Sequence, residues 1–524
     1  MSVGERETLA AGAIATDARR RSVPRFSPLL AALLAICVML SIGIAGSWST
    51  AGIGEDEGLL LEYPQLIIHG EVPFRDFQSS YGPGTYLPLV AAYEALGPSV
   101  TVERAVGAAY RAGVILAIAA LLAPLGAAVT LCGGSLAVVG ILGDEPPTAF
   151  GWYAALACAL WAIWLARSAL RRGSTGANWR WAGAGLLIGA AASVRPDLGV
   201  AALPAALVLV AGAVRRGRLS FAGGFAVGLA PLGWNVAAAG VSAFWTYYVD
   251  ARLHQQPEAG VPLSSEPALL CVLVGGAAIV LIAAVGQWRR LGAGPMTRGW
   301  LALGVLGVLL LPQFLQREDL THFAFVAPVI LGLLPWAVNS ARKLSALERV
   351  AIPVICALVV GFHAIRAAIG LSYPVSHGGR SFASPTSAER DELQAVIRYA
   401  DRHTTPGQRI FVGPRDLRWA LWDDTSLYYL LPALRPSGFY LELGPGDNNA
   451  TFTARISSQI ERADVLVLQT ISAGTRRAIY PYAQTGSDLP NAIVARYFRI
   501  GLQIAPYTVL LRKSEQARPP AAAR

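Results

Sequence analysis

The stretch Glu55-Asp56-Glu57-Gly58, continued by Pro73-Phe74-Arg75-Asp76-Phe77 and Tyr81-Gly82-Pro83-Gly84, decides how this chain is read. It follows the first long apolar run, residues 28–48, and concentrates charge at one end of a mostly apolar sequence. Of 524 residues, 54% are hydrophobic and 15% charged, which is too little charge to cover a soluble chain of this length. Repeated apolar runs of about 17–25 residues read as membrane helices. The fold class is therefore a polytopic α-helical membrane protein.

The formal net charge of +10 does not point to nucleic acid, because the basic residues sit in short loops. These are Arg19-Arg20-Arg21 with Arg25, Arg167 to Arg180, Arg215-Arg216-Arg218, Arg289-Arg290 with Arg298, and Arg342-Lys343 with Arg349. Basic short loops between apolar runs mark the cytoplasmic side. Spans are predicted near 28–48, 105–122, 124–142, 149–167, 179–195, 197–213, 219–239, 266–287, 299–315, 321–340 and 349–370. That makes about 11 to 13 transmembrane helices, depending on how residues 83–97 are counted. With 83–97 lying at the outer interface, residues 51–104 form one external loop and every Arg-rich loop falls inside. Gly58 to Ile68 reads as a surface helix bent by Pro64. Arg111 and Arg366 sit near predicted helix ends, where they would snorkel.

The division along the chain follows. Residues 1–27 are a basic cytoplasmic tail, 28–372 a transmembrane domain, 373–513 an extracytoplasmic α/β domain and 514–524 a disordered tail. The α/β reading rests on short apolar runs at 409–413, 464–468 and 507–511, with helical periodicity at 387–403 and 451–462. Asn449-Ala450-Thr451 matches a glycosylation sequon, a common tripeptide. The five cysteines lie in apolar runs without metal-ligand spacing, so neither a disulfide framework nor a zinc site is expected.

Several charged turns fall on the predicted outer side. Asp56 and Glu57 are candidate catalytic carboxylates, since an ionised carboxylate can take a proton from an attacking hydroxyl. Their competing role is to cap the helix starting at Gly58. Arg75-Asp76 with Tyr81 form a second group, which alternatively fixes its own loop. Arg195-Pro196-Asp197 places an arginine on the side that disfavours it, which suggests a bound anion. Gln316-Arg317-Glu318-Asp319 with His322 forms another turn, where Arg317 suits phosphate oxygens. Asp144-Glu145 reads as a solvated turn. No nucleotide loop and no zinc-protease motif is present.

The order of these features resembles a known family. A basic tail and one span lead to Asp-Glu in the first external loop. The stretch GEVPFRDFQSSYGPGTYLPL (70–89) follows, then many spans, RPD (195–197), REDLTHF (317–323) and a soluble tail. This resembles the GT-C superfamily of integral-membrane glycosyltransferases, in the style of bacterial relatives of protein O-mannosyltransferases and aminoarabinose transferases. One departure is Gly82-Pro83-Gly84, where relatives commonly carry a Pro-Pro pair. The resemblance implies an inverting glycosyltransferase using a polyprenyl-phosphate sugar, with Asp56 as base. Glu57 is the second catalytic candidate. The donor phosphate would be held by Arg317, Arg195 and Arg75. Asp76, Tyr81, Asp197, Asp319 and His322 would contact substrate. The partners are the lipid-linked donor, membrane lipids and a cell-envelope glycan, lipid or protein acceptor. No cofactor is expected, with a divalent metal left open. The expected location is a bacterial plasma membrane, with the site extracytoplasmic. The alternative is a transporter or flippase of lipid-linked glycan precursors, which would place charge deep in the spans.

Overall fold

The computed structural model describes residues 27–52, 54–79, 81–143, 146–173, 177–250, 266–316, 319–370, 372–418, 423–443, 450–470 and 487–513. The tails, Asp144-Glu145, Arg317-Glu318, Asn449 and most of the loop 240–265 therefore lie outside the described residues.

The first apolar run forms helix α1 (Pro28–Ser47), with proline in its first turn where no amide donor is needed. The next two helices are α2 (Gly54–Ile68) and the short α3 (Leu87–Leu96). The apolar series then runs α4 (Val100–Leu122), α5 (Ala127–Ile141), α6 (Gly151–Arg172), α7 (Asn178–Val194) and α8 (Pro196–Val210). It continues with α9 (Arg215–Gly228), α10 (Ala230–Ala239), α11 (Pro267–Leu291), α12 (Pro295–Leu309), α13 (Leu311–Gln316), α14 (Leu320–Ala341) and α15 (Ala346–Ile369).

Among the described residues, seven helices are long and apolar enough to cross a membrane. The pair α9–α10, bent by 42°, makes eight if it counts as one span. The protein is a multi-pass membrane protein. Three of the expected spans are shorter than the predicted runs. Helices α5, α7 and α8 have 15, 17 and 15 residues. At 1.5 Å per residue each covers roughly 22–26 Å, less than a hydrocarbon core of about 30 Å. The segment 83–97 supplies only the ten-residue α3, too short to span.

Two expectations fail on burial. Gly58 to Ile68 is not a surface helix: α2 begins at Gly54, and Leu59, Leu60, Leu61 and Tyr63 along it are almost completely enclosed. Arg111 does not snorkel. It lies mid-way along α4, is buried, and donates to the Thr148 and Pro146 carbonyls. On the same helix Glu103 accepts from Ala149 N–H at 2.6 Å. Together they hold the buried chain at 146–150 against α4.

After α15 the chain changes character. A hairpin, β1 (Tyr373–His377) with β2 (Arg380–Ser384), leads to α16 (Ser387–His403). Then come β3 (Arg409–Pro414), α17 (Ser426–Leu430), β4 (Arg435–Pro436), α18 (Ala450–Arg462), β5 (Val465–Gln469), α19 (Leu489–Tyr497), β6 (Phe498–Ile504) and β7 (Tyr507–Arg512). The sheet order is β4-β3-β5-β7-β6, parallel at β4-β3-β5 and antiparallel beyond. Helix α2 joins this part to the bundle. Leu59, Leu60 and Leu61 belong to one buried cluster with Leu427, Leu430 and Val375. Gln78 N–H donates to the Phe439 carbonyl at 2.7 Å, and the Thr425 hydroxyl donates to the Gly54 and Glu55 carbonyls.

Candidate active site

Asp56 stands in the first turn of α2, where the helix dipole favours negative charge, and remains partly exposed. The Tyr81 hydroxyl donates to Asp56 Oδ1 at 3.1 Å. Burial, and next the Asp56 carboxylate, push the Tyr81 phenol well above its ordinary pKa, so it keeps its proton and remains a donor.

The glycines beside Tyr81 explain how it reaches this place. Gly82 and Gly84 lie directly against the end of α7. A Cβ on Gly82 would come within 2.5 Å of the Ser193 carbonyl oxygen, and one on Gly84 within 2.9 Å of its carbonyl carbon. Gly82 N–H and the Thr85 hydroxyl both donate to the Val194 carbonyl, at 3.2 and 3.0 Å. The loop therefore rests on the turn that carries Arg195, and only residues without side chains permit the approach.

Arg195 occupies the junction between α7 and α8, and Pro196 starts α8. Its guanidinium lies 5.7 Å from the Tyr81 ring centre and 5.3 Å from that of Trp152. Nε and Nη2 form a fork to Asp197 at 3.0 and 2.7 Å. Nη1 has no partner among the described residues. A nearly buried guanidinium with one unoccupied donor edge suits an anionic oxygen.

The third turn reaches the same place through aromatic rings. Asp319 caps α14, accepting from the His322 backbone N–H at 2.8 Å, and its Oδ1 also lies 2.8 Å from His322 Nδ1. The His322 ring meets Phe325 edge-on at 5.5 Å. Phe325 packs on Trp152 at 5.6 Å, and Trp152 Nε1 donates to the Phe325 carbonyl at 2.8 Å. A continuous series therefore runs from Asp56 through Tyr81, Arg195, Trp152 and Phe325 to His322. Trp152 and Phe325 were missed in the sequence. Aromatic residues at helical spacing look the same in an ordinary core, and only the arginine over the Trp152 ring sets that one apart.

Other candidates stand elsewhere. Glu57 is enclosed and bound by Arg104, with Nε to Oε1 at 2.6 Å and Nη2 to Oε2 at 2.9 Å. Arg104 also donates to the Trp48 and Thr50 carbonyls. This ion pair ties α2 to α4 and the end of α1, and it leaves Glu57 no exposed oxygen for an acceptor. Arg75 closes on its neighbour Asp76, which also accepts from Val72 N–H at 2.8 Å. That pair fixes its own turn and opens on a separate cavity. Arg317 and Asp144 fall outside the described residues.

Beside Asp56, Glu55 turns to the opposite face of α2. There it meets Asp423, Asp424 and Glu442, and it lines a cavity of about 150 Å³ with Asp423, Asp424 and Tyr507. Burial, and next Glu442, push the Glu55 carboxyl well above its ordinary pKa. Burial likewise raises Asp423 and Asp424. Among the described residues no group of three or more His, Cys, Asp or Glu side chains is arranged to hold a metal ion.

No protein-family model matches the sequence, and no curated protein matches it. Solved structures do. ArnT from Cupriavidus metallidurans bound to undecaprenyl phosphate superposes with a TM-score of 0.53 at 11% identity, covering 93% of this chain and 99% of that one. Its apo state gives 0.52 at 12%, covering 91% and 97%. The Archaeoglobus fulgidus oligosaccharyltransferase, in complex with zinc and sulfate, gives 0.51 at 12%, covering 88% and 71%. The chain shares the fold of these structures. At such identities the likeness speaks for fold alone.

Proposed function

We propose that this protein is an inverting glycosyltransferase that moves a sugar from a polyprenyl-phosphate donor to a cell-envelope acceptor. The reaction takes place on the outer face of a bacterial plasma membrane, where residues 373–513 also stand. The observation that supports this reading is the position of Asp56 and Arg195 on either side of Tyr81, one accepting from its hydroxyl and the other over its ring. A base and an anion-binding cation at one membrane-edge site are what transfer from a lipid phosphate requires.

In this mechanism Asp56 takes the proton of the acceptor hydroxyl as its oxygen attacks the anomeric carbon. The bond from that carbon to the phosphate oxygen breaks, and the lipid phosphate leaves as an anion. Such a leaving group needs positive charge rather than a proton. Arg195 supplies it through Nη1, aided by Arg317, which lies outside the described residues, and each contact is worth on the order of a few kcal/mol. Tyr81 holds the Asp56 carboxylate in one orientation. Attack opposite the phosphate inverts the anomeric configuration, and the acceptor must fit between base and donor. Asp197 orients Arg195, while His322 and Asp319 border the sugar.

The test is purified protein in liposomes with a panel of polyprenyl-phosphate sugars and native membrane extract as acceptor source. The expected result is release of free polyprenyl phosphate from one donor, with the sugar recovered in inverted linkage. Silence with every donor in the presence of extract would overturn the reading.

A further inference from the structure

A second and much larger cavity, about 1400 Å³, opens on the other side of α2 from Asp56. One wall is the second half of α2 and the turn after it, with Glu62, Gln65, His69 and Glu71. The facing wall is the start of β3 and β4, the chain at 432–439, and α18. Six arginines line it: Arg75, Arg380, Arg409, Arg435, Arg455 and Arg462. Against them stand three carboxyls, Glu62, Glu71 and Asp76.

Three observations mark this cavity as a binding site. Arg409 and Arg435 are in register across a parallel strand pair, so their backbones are about 4.8 Å apart. Neither forms an ion pair among the described residues. Two like charges held side by side and exposed repel each other, an arrangement that favours an anion between them. Second, Ser437 is 2% exposed, lines the cavity, and its hydroxyl has no partner among the described residues. Third, Arg455 lies 3.8 Å over the Phe439 ring centre, with its Nη1 buried and unpartnered. These are donors without acceptors along one wall of a roomy polar cavity.

We infer that this cavity binds an anionic glycan chain, one carrying uronate or phosphate groups, and that this chain is the acceptor. The binding follows from the cavity alone, whereas the role as acceptor rests on the glycosyltransferase reading. A mixed lining favours a glycan over an acidic peptide. Glu71 offers oxygens that accept from sugar hydroxyls, while the guanidinium forks of Arg409 and Arg435 take carboxylate or phosphate. An acidic peptide brings no row of hydroxyls to donate to those oxygens. The turn Arg75-Asp76 borders the cavity and runs on through Gln78 to Tyr81. The segment that borders the cavity is thus followed in the chain by the residue that donates to Asp56.

The test uses the full-length protein in detergent and three fluorescent probes of equal length: an oligogalacturonate, a neutral β-glucan oligosaccharide and a polyglutamate peptide. Binding is read by anisotropy, which requires no donor. The expected result is binding of the oligogalacturonate, weakened at least tenfold by Arg409→Glu combined with Arg435→Glu, with little binding of the other two. Both arginines are exposed at strand ends, so an unchanged melting temperature separates lost binding from lost fold. Equal binding of the neutral glucan, or indifference to the charge reversal, would overturn the inference. Equal binding of polyglutamate would overturn the glycan class. If the oligogalacturonate binds as expected while no donor is ever consumed, the site stands and the glycosyltransferase reading is what failed.

Discussion

At the scale of single residues, two adjacent acids that look alike in the sequence have different surroundings. Asp56 faces Tyr81 and stays partly exposed, while Glu57 is enclosed against Arg104. The sequence could not separate them, because the partner of Glu57 lies 47 positions away, at the far end of the predicted external loop. Breaking that pair leaves Arg104 charged and uncompensated. Glu57→Gln is expected to lower unfolding stability by about 3–5 kcal/mol. Glu57→Leu combined with Arg104→Met should recover much of that loss, as denaturant titration in detergent would show. A stable Glu57→Gln protein with abolished transfer would instead make Glu57 part of the chemistry. Tyr81→Phe removes one hydrogen bond to a carboxylate, worth about 1.5–3 kcal/mol. It should slow transfer by roughly ten- to hundredfold at unchanged donor KM.

At the scale of elements, α2 carries the site on one face and the contact to the C-terminal strands on the other. Its identity as a helix was legible from Gly58 to Ile68, four residues short of its start at Gly54. Its burial was not, because the strands and turns that cover it are more than 300 residues later in the chain. Gly58 shows how close that cover lies: a Cβ there would meet Thr425 Oγ1 and Ser426 N at 2.4 Å. Gly58→Val should therefore separate α2 from α17 and lower the melting temperature. The acids at this junction give it a pH dependence. Burial raises Glu55, Asp423 and Asp424 above their ordinary values, so the folded protein holds protons that the unfolded chain releases. Stability is then greatest below the ordinary carboxylate range near 4 and falls as pH rises through the raised folded values. Melting temperatures measured from pH 5 to 8 should decline, and Asp423→Asn should flatten the slope. A curve that climbs with pH would contradict the protonated junction.

At the scale of the molecule, the apolar runs and Arg-rich loops were enough to identify a polytopic membrane protein. They were not enough to measure its helices, because short segments such as α5 and α8 depend on packing rather than length. The fold brings Asp56, Tyr81, Arg195 and His322 together from separate stretches of the chain through one series of contacts. One face of the C-terminal strands, with Val465, Val467 and Val509, shares a buried cluster with α2 and the bundle, while Phe411, Leu466 and Leu468 belong to a second cluster. Truncation after residue 372 would expose the apolar face of α2 formed by Leu59, Leu60 and Leu61. The truncated chain should aggregate in detergent instead of eluting as a single species. A monodisperse truncated bundle would show that the two parts fold separately.

The most direct measurement is single-turnover sugar transfer from the consumed polyprenyl-phosphate donor by wild type and Asp56→Asn, at matched melting temperature. Loss of a hundredfold or more in rate, with donor binding retained, is the result expected of the base. Equal rates for the two proteins would contradict that role and detach the chemistry from the site built around Tyr81 and Arg195.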